Sequence, residues 1–454
     1  MTRDFFITSK KERVSYILYF MGQNIFYMFI LLFLQQFYVI DMAINASIVA
    51  TIFLVVRIWD AVNDLLFGVI VDKSNFKSGK FKPWVKISTL MIPIFTILIF
   101  IMPNTMSLEL KIAYATVTYI LWDMAYTVCD IPIFALTTAM TNNVKERMSL
   151  ISFGRFAATI AILVLAVFVP MLYPTFGWEA TAVILSVFGF LTMLPISITA
   201  KERFVVKKQT AASLTTILKY LVGNKYLLIF YLTLIIASLT DTTITISNFF
   251  AIYCLGGDQM ISVVMLFTIV PMLLFTAILP KLGVMFDKFH IFVTCTIANI
   301  VLSIILYLVG YANLNLFYIL LFLRSFAMSA SIVMPFMFSA DCVEYGTYKT
   351  GERAEGVTFS IQTFTTKITG AISGTMGLFF LSLAGFAEGS ASQSTATLDA
   401  IWFLFSLFPV FGLLAQIVLL LIFYKLRDKD VQIMARANQG EISKEEAEAT
   451  LTRN

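Results

Sequence analysis

The stretch VSYILYFMGQNIFYMFILLFLQQFYVI, from Val14 to Ile40, runs for 27 residues without a charged side chain. A helix needs about 20 predominantly apolar residues to cross the hydrocarbon core of a membrane, which is about 30 Å thick. The stretch therefore predicts a membrane-spanning helix. It follows a polar, basic segment, Met1–Arg13, and it is longer than the apolar region of a signal peptide, which favours a permanent span over a cleaved leader.

The rest of the chain repeats this pattern. Of its 454 residues, 59% are hydrophobic and 13% are charged, whereas about a quarter of the residues of a soluble domain are charged. We therefore predict an all-α membrane protein with twelve transmembrane helices, surrounded by the lipid bilayer. The predicted spans are residues 14–40, 46–71, 84–104, 110–140, 148–173, 178–200, 225–255, 259–282, 290–311, 313–340, 355–386 and 399–425.

Lysine and arginine are distributed unevenly among the predicted loops. Of the 32 basic residues, 27 lie at the N-terminus, in alternate loops or in the C-terminal tail, and the opposite loops contain only Lys111. Cytoplasmic loops of membrane proteins are enriched in lysine and arginine. We therefore expect both termini to be cytoplasmic.

A basic linker near the midpoint separates six predicted spans from six others. We predict an N-terminal six-helix bundle at 1–200, a cytoplasmic middle linker at 201–224, a C-terminal six-helix bundle at 225–426 and a cytoplasmic tail at 427–454. Two such bundles, facing each other across a central cavity, are the architecture of major-facilitator transporters. The sequence therefore predicts the major-facilitator fold.

The second predicted span carries three charged side chains on one helix face. Arg57, Asp60 and Asp64 have the spacing i, i+3, i+7, with Asn63 close beside them. Charge inside a membrane costs about 2.5–3.5 kcal/mol on insertion scales and is usually functional or paired. Two carboxylates one turn apart provide what Na⁺ or a proton needs. The alternative is a structural ion pair, although a single arginine leaves one carboxylate over.

The fourth predicted span carries a second polar face. Asp123, Thr127 and Asp130 have the spacing i, i+4, i+7, and the Thr127 hydroxyl is a possible cation ligand. Arg155 on the fifth span and Lys367 on the eleventh are the expected counter-charges. A cavity of this kind offers paired donors and acceptors to a polyol.

Other side chains complete this hypothetical cavity. Thr363 precedes Lys367 by about one turn, and Phe134 lies one turn after Asp130 and is a candidate for stacking on a sugar ring. The alternative for Phe134 is a core or lipid-facing role. For Asp241 and Arg324, on the seventh and tenth spans, we favour a structural pair across helices over a contact with substrate.

The composition argues against an enzyme. His290 is the only histidine, which is unfavourable for an imidazole metal site or a Ser/His triad. The four cysteines are far apart in apolar runs and form no zinc-binding pattern. We expect no cofactor apart from a coupling ion, no nucleic-acid partner, and a working monomer.

Several long motifs resemble one family. RIWDAVND (57–64) with GKFKPW (79–84) is similar to the second helix and following loop of glycoside–pentoside–hexuronide:cation symporters, which belong to the major facilitator superfamily. YILWDMAYTVCDIP (119–132) resembles the fourth helix of that family. DCVEYGTYK (341–349), GERAEG (351–356) and QTFTTK (362–367) resemble its loop before helix eleven and helix eleven itself. The resemblance covers about residues 13 to 425.

The resemblance implies roles for individual residues. It assigns cation binding to Asp60 and Asp64, a possible Na⁺ site, with Asn63, Thr127 and the additional acid Asp123 nearby. It assigns sugar binding to Asp130 and Arg155, and a position between sugar and cation to Lys367. It places five residues in cytoplasmic ion-pair networks that stabilise one transport state: Arg147, Asp341, Glu344, Arg353 and Glu355. Arg57 is a further residue expected to take part in coupling.

Four positions depart from the melibiose permease pattern, among them Asp123 in place of a glycine and Ile332 in place of an aromatic residue. Asn24, beside Gln23, matches an aspartate that contacts sugar, and Phe134 matches a stacking tryptophan. The Asn24 amide can form hydrogen bonds but lacks the negative charge of the aspartate. We therefore expect the substrate to have a different pattern of hydroxyl groups, which need not be that of a galactoside.

These observations predict a secondary active transporter of the cell membrane that couples Na⁺ or H⁺ to symport of a sugar or glycoside by alternating access. The alternative is a major-facilitator exporter of drugs or metabolites, because a fold does not determine its function. Such an exporter would have a mostly apolar, aromatic cavity.

Overall fold

The computed structural model describes residues 6–74, 76, 78–204, 220–351 and 353–451, and these residues are predominantly helical. The α-helices are α1 (Lys10–Gln36), α2 (Ala46–Lys73), α3 (Lys82–Phe100), α4 (Leu108–Met140), α5 (Val144–Thr199), α6 (Lys225–Ser238), α7 (Thr243–Cys254), α8 (Gln259–Met285), α9 (Lys288–Val309), α10 (Leu314–Val333), α11 (Pro335–Thr350), α12 (Glu355–Leu383), α13 (Thr395–Ser406), α14 (Pro409–Phe423), α15 (Asp428–Asn438) and α16 (Lys444–Thr450). A π-helical turn, Phe37–Asp41, continues α1.

Ten segments of the described chain are long and apolar enough to cross a membrane. The predicted spans 148–173 and 178–200 both lie within α5, which consists of two helices that meet at a kink at Gly177, where φ is 81° and ψ is 165°. Glycine adopts this positive φ without the steric cost of a side chain. The predicted eleventh span corresponds to α12, which is absent from the ten because its Thr, Ser and Gly residues lower its hydropathy. Residues 205–219 of the predicted linker lie outside the described residues.

The first of two compact units consists of Met1–Gln209, Ala251–Val263 and Gly385–Ser394. Within it, α1 packs along α5, α3 packs against α4 and α5, and α2 packs against α4. Glycines bring α1 and α5 close together: a Cβ atom on Gly22 would lie 2.3 Å from Thr192 Oγ1, and one on Gly189 would lie 2.4 Å from Phe26. Small residues permit such close contact between membrane helices.

The two short segments of unit one are held by hydrogen bonds, one at the beginning of α2 and the other on α5. The Glu388 carboxylate accepts hydrogen bonds from Asn45 Nδ2 at 2.8 Å and from the Ala46 backbone N–H at 3.0 Å. Asp258, in the other segment, accepts a hydrogen bond from the Tyr173 hydroxyl of α5.

The second unit consists of Thr210–Phe250, Val264–Ala384 and Thr395–Asn454. Its helix α6 packs against α12 and α14, and α9 packs against α10 and α14. An aromatic cluster fills the space between these helices: the rings of Phe230 and Phe338 stack at 4.5 Å, and Phe289 and Tyr424 stack at 5.8 Å.

Two helix interruptions meet in unit two. One separates α6 from α7 at residues 239–242, and the other separates α13 from α14 at residues 407–408. The Thr242 hydroxyl donates to the Leu404 carbonyl at 2.5 Å, and the Gly412 N–H donates to the Thr240 hydroxyl at 2.9 Å. Side chains thus satisfy backbone groups that the interruptions leave open, as a low-dielectric environment requires.

The tail after Lys425 is partly helical. Its helix α15 packs against α11, and Asn438 donates hydrogen bonds to the backbone and side chain of Glu344, at 3.0 and 2.9 Å.

Candidate functional site

A hydrogen-bonded chain joins α2 and α4 in unit one. Asn63 Nδ2 donates to the Thr127 hydroxyl at 2.8 Å, and that hydroxyl donates to Asp64 Oδ1 at 3.2 Å. Asn63 and Thr127 are 7% and 2% exposed, and Asp64 is half-buried. The structure therefore brings together three of the five predicted cation-binding residues, and their oxygen atoms are of the kind that hard cations prefer.

The other two predicted cation-binding residues, Asp60 and Asp123, are also buried. Both interact electrostatically with Arg57, which also interacts with Tyr27 and Tyr119. Among the described residues, no group of three or more His, Cys, Asp or Glu side chains could hold a metal ion. The arrangement thus offers a cation the carboxylate of Asp64 and the hydroxyl of Thr127. The charges of Asp60 and Asp123 are balanced in part by Arg57.

The second polar cluster of unit one is centred on Asp130. Gln23 Nε2 donates to Asp130 Oδ1 at 2.7 Å and to the Tyr126 hydroxyl at 3.2 Å. The Gln23 carbonyl oxygen is buried and has no hydrogen-bond partner among the described residues. This oxygen can accept a hydrogen bond from a ligand hydroxyl or from water. Asn24, in contrast, donates to the Phe20 carbonyl of its own helix at 2.9 Å.

Aromatic rings surround this cluster. Phe134 is half-buried and contacts Phe20 edge-on, with the ring centroids 5.2 Å apart. Tyr126 stacks on Trp122 at 5.3 Å and on Tyr27 at 5.0 Å. Tyr126 was not predicted as a site residue, although its position between Asp123 and Asp130, at i+3 and i−4, places it on the same face of α4.

Arg155, the predicted counter-charge, lies on α5 and is exposed. It interacts electrostatically with Tyr16, as does Asp130. The Tyr16 hydroxyl is buried and has no hydrogen-bond partner among the described residues. Tyr16 therefore extends the polar cluster along α1 from Gln23 toward Arg155, which the sequence did not indicate.

The predicted site residues of unit two lie on α12. The Thr363 hydroxyl donates to the Phe359 carbonyl one turn earlier, at 3.0 Å, and Lys367 is half-buried. The Gln362 carbonyl oxygen is buried without a hydrogen-bond partner in the described part of the chain. The grouping of Lys367 with Asp130 and Arg155 stays a prediction.

Three of the predicted network residues come together in unit two. Arg353 forms salt bridges with Glu344 at 3.0 Å and with Glu355 at 2.6 Å. The hydrogen bond to Glu355, supported by the charge of Glu344, raises the pKa of the Arg353 guanidinium.

Asp341 pairs instead with a residue that the sequence did not single out. Lys288 Nζ lies 2.5 Å from Asp341 Oδ1 and 3.3 Å from Asp428 Oδ1, so it connects the start of α9 with α11 and with the tail.

In unit one, Arg147 donates to the Thr141 carbonyl at 3.4 Å. The strongest ion pair nearby was again not predicted: Arg203 Nη1 lies 2.8 Å from Glu12 Oε1. This hydrogen bond raises the pKa of Arg203. Glu202 accepts hydrogen bonds from the backbone N–H groups of Lys80, Phe81 and Lys82, where α3 begins.

Asp241 and Arg324 meet at the two helix interruptions. Arg324 is 1% exposed and donates to the Thr243 hydroxyl at 2.8 Å and to the Phe405 carbonyl at 3.1 Å. Asp241 accepts hydrogen bonds from the Thr243 backbone and hydroxyl, and it interacts electrostatically with Arg324. The Thr243 hydroxyl thus links the two charges.

Long apolar helices, with acids and amides buried between them, are typical of a multi-pass membrane protein. The fold is that of the major facilitator superfamily: the chain is similar to the nucleoside transporter NupG, with a TM-score of 0.66 and 15% identity, over 92% of this chain and 100% of that one. The family model described as MFS/sugar transport protein matches residues 15–428, and the chain belongs to this family.

Two proteins with similar sequences illustrate the membership of this family. The chain is 27% identical to the putative glycoside/cation symporter YagG of Escherichia coli (strain K12), covering 90% of this chain and 91% of that protein. It is also 27% identical to the isoprimeverose transporter of Lactiplantibacillus pentosus, covering 94% and 91%. The resemblance to glycoside–cation symporters is thus confirmed, and the chain is a transmembrane symporter of this sugar-transport family.

Proposed function

We propose that this symporter carries a glycoside together with Na⁺ or H⁺ by alternating access, through twelve spans with both termini in the cytoplasm. The main observation that supports this proposal is the chain of hydrogen bonds from Asn63 through Thr127 to Asp64. A cation at Asp64 would bind the carboxylate and a lone pair of the Thr127 hydroxyl, whose proton already points to the carboxylate. Asp60 and Asp123 supply the remaining negative charge, and Arg57 balances part of it.

The glycoside site in this proposal is built around Asp130. Asp130 and Gln23 provide acceptors and donors for sugar hydroxyls, and Arg155 adds a cation. Phe134 offers a ring face for stacking. Asn24, Thr363 and Lys367 complete the proposed site on the basis of the family resemblance. The names of the two relatives support a glycoside rather than a drug or a nucleoside.

Coupling follows from the shared helix. Thr127 and Asp130 are one turn apart on α4, so any shift of α4 on cation binding also moves the sugar-binding carboxylate. Coupling of this kind is reciprocal, which means that the glycoside raises cation affinity by the same factor. Arg147, Asp341, Glu344, Arg353 and Glu355 are proposed to form networks that stabilise one of the two states.

The test is uptake into proteoliposomes. A panel of radiolabelled glycosides, with isoprimeverose included, is offered under an imposed Na⁺ gradient and, separately, under an imposed pH gradient. We expect accumulation above equilibrium under one of the gradients, and we expect Asp64→Asn to abolish it. Accumulation that continues unchanged in Asp64→Asn would disprove the assignment of the cation site.

A further inference from the structure

A cavity of 410 Å³ lies in unit two, where the tail helices α15 and α16 cover the ends of α6, α11 and α14. Its lining begins at Lys225, the first residue of α6, and includes Lys425, two residues beyond the end of α14. The cavity is therefore located where apolar helices end, at the level of the membrane surface.

The lining of this cavity is basic. Four lysines, Lys225, Lys349, Lys425 and Lys444, face two acids, Asp430 and Glu448. The Asp430 carboxylate already accepts a hydrogen bond from the backbone N–H of Arg427, at 3.3 Å, at the N-terminus of α15. Glu448 also lines the cavity, and it acts electrostatically on Tyr348 together with Glu445 of the same helix. Four lysines against these three acids leave the cavity with a small excess of positive charge.

Tyrosine rings hold the lysine side chains around the cavity. The ammonium groups of Lys225, Lys349 and Lys444 lie 4.7, 6.0 and 6.0 Å from the centroids of neighbouring tyrosine rings. The ring next to Lys444 is that of Tyr348, whose hydroxyl is buried and has no hydrogen-bond partner among the described residues. An unsatisfied buried hydroxyl calls for a ligand or a water.

We propose that this cavity binds a phosphate-bearing anion. A phosphate group carries one or two negative charges and several acceptor oxygens, which suits several ammonium donors and a phenol at once. A neutral sugar would leave the lysine charges uncompensated. Two sources can supply this chemistry, the headgroup of an acidic lipid or a soluble phosphate ester. Basic pockets at the ends of membrane helices favour acidic headgroups.

Binding is measured on the full chain in phosphatidylcholine nanodiscs, by thermal unfolding. Inorganic phosphate and glycerol 3-phosphate are titrated as soluble probes, and nanodiscs with increasing phosphatidylglycerol provide the lipid probe. We expect the midpoint of unfolding to rise with at least one of these probes. A rise with phosphatidylglycerol alone identifies the lipid source, and a rise with the soluble probes identifies the free ester.

Variants locate the binding site. Lys349→Gln combined with Lys444→Gln should weaken the response at least about tenfold in probe concentration, since each lysine near a phosphate contributes to affinity. Lys281→Gln combined with Lys429→Gln removes the same charge from exposed positions outside the cavity and should leave the response intact. The proposal is overturned if no probe raises the midpoint, or if both double variants weaken the response equally. Because binding is measured without transport, the result does not depend on the proposed glycoside function.

Discussion

Gln23 on α1 donates a hydrogen bond of 2.7 Å to the carboxylate of Asp130 on α4. This contact joins the two helices at the centre of the proposed glycoside site. It also orients the buried Gln23 carbonyl oxygen, because the amide nitrogen is the end that must face the carboxylate. The amide therefore both positions Asp130 and offers an acceptor of its own.

Substitution of Gln23 by leucine should impair glycoside binding. The Asp130 carboxylate would lose a donor, and hydrogen bonds to charged groups contribute about 1.5–3 kcal/mol. We expect the KM for the transported glycoside to rise at least about tenfold. Gln35→Leu, which makes the same change about three turns further along α1, is the control and should leave the KM within about twofold. Equal effects of the two substitutions would remove Gln23 from the glycoside site.

Substitution of Thr127 by valine should weaken cation coupling. The change keeps the shape of the side chain but removes the hydroxyl between Asn63 and Asp64. The concentration of the coupling cation at half-maximal uptake should rise about five- to tenfold, and Thr127→Ser should retain most of the affinity. Thr116→Val provides the comparison, because the Thr116 hydroxyl donates to the Ile112 carbonyl of its own helix.

Removal of Arg324 should destabilise unit two. Arg324→Met leaves the Asp241 charge uncompensated and the Phe405 carbonyl without its donor, and breaking a buried pair costs about 3–5 kcal/mol. Thermal unfolding of the purified protein should show a lower midpoint. The double variant Asp241→Asn/Arg324→Met should recover part of the loss, because it removes both charges. A double variant less stable than Arg324→Met would show that the two charges are not energetically paired.

Two ion pairs of unit two should differ in their contribution to stability. Lys288 and Asp341 are 18% and 10% exposed, whereas Arg353 and Glu355 are 51% and 55% exposed. We expect Lys288→Gln to lower the free energy of unfolding by about 2–3 kcal/mol. Arg353→Gln should change it by less than about 1 kcal/mol, because solvent and salt screen exposed pairs. Denaturation at low and high salt concentration provides the measurement.

The close approach of α1 and α5 should not tolerate a methyl group at Gly22. The added Cβ would lie 2.3 Å from Thr192 Oγ1 and 2.8 Å from the Gly189 carbonyl oxygen. Gly22→Ala should therefore destabilise the protein by about 1–3 kcal/mol. Gly283→Ala is the matched control, since its Cβ would meet nothing within 4 Å. In that helix the change should be neutral or slightly stabilising.

The sequence was most informative about the positions of charged residues along single helices. The spacing of Asp60 and Asp64 on α2, and of Thr127 and Asp130 on α4, predicted one polar face on each helix, because the helical period alone determines which residues of a helix share a face. Hydropathy likewise predicted an all-α membrane protein. These predictions need no knowledge of how helices are arranged around one another.

Contacts between helices were less predictable. The sequence placed Asn24 and Gln23 side by side, and only the packing of α1 against its neighbours shows that Gln23 reaches Asp130 while Asn24 bonds its own backbone. Lys288 was not singled out because its partners, Asp341 and Asp428, are distant in sequence. The interruption at residues 239–242 has no proline or glycine to mark it, and its stability depends on hydrogen bonds to α13 and α14.

The position of Arg324 has a mechanical consequence. Its guanidinium donates hydrogen bonds to Thr243, the first residue after the α6–α7 interruption, and to Phe405, two residues before the α13–α14 interruption. Each interruption is a natural hinge, yet the two cannot flex independently while one rigid, planar group is bonded to both. A bend between α6 and α7 is therefore expected to be transmitted to the junction of α13 and α14, so that the two junctions bend together.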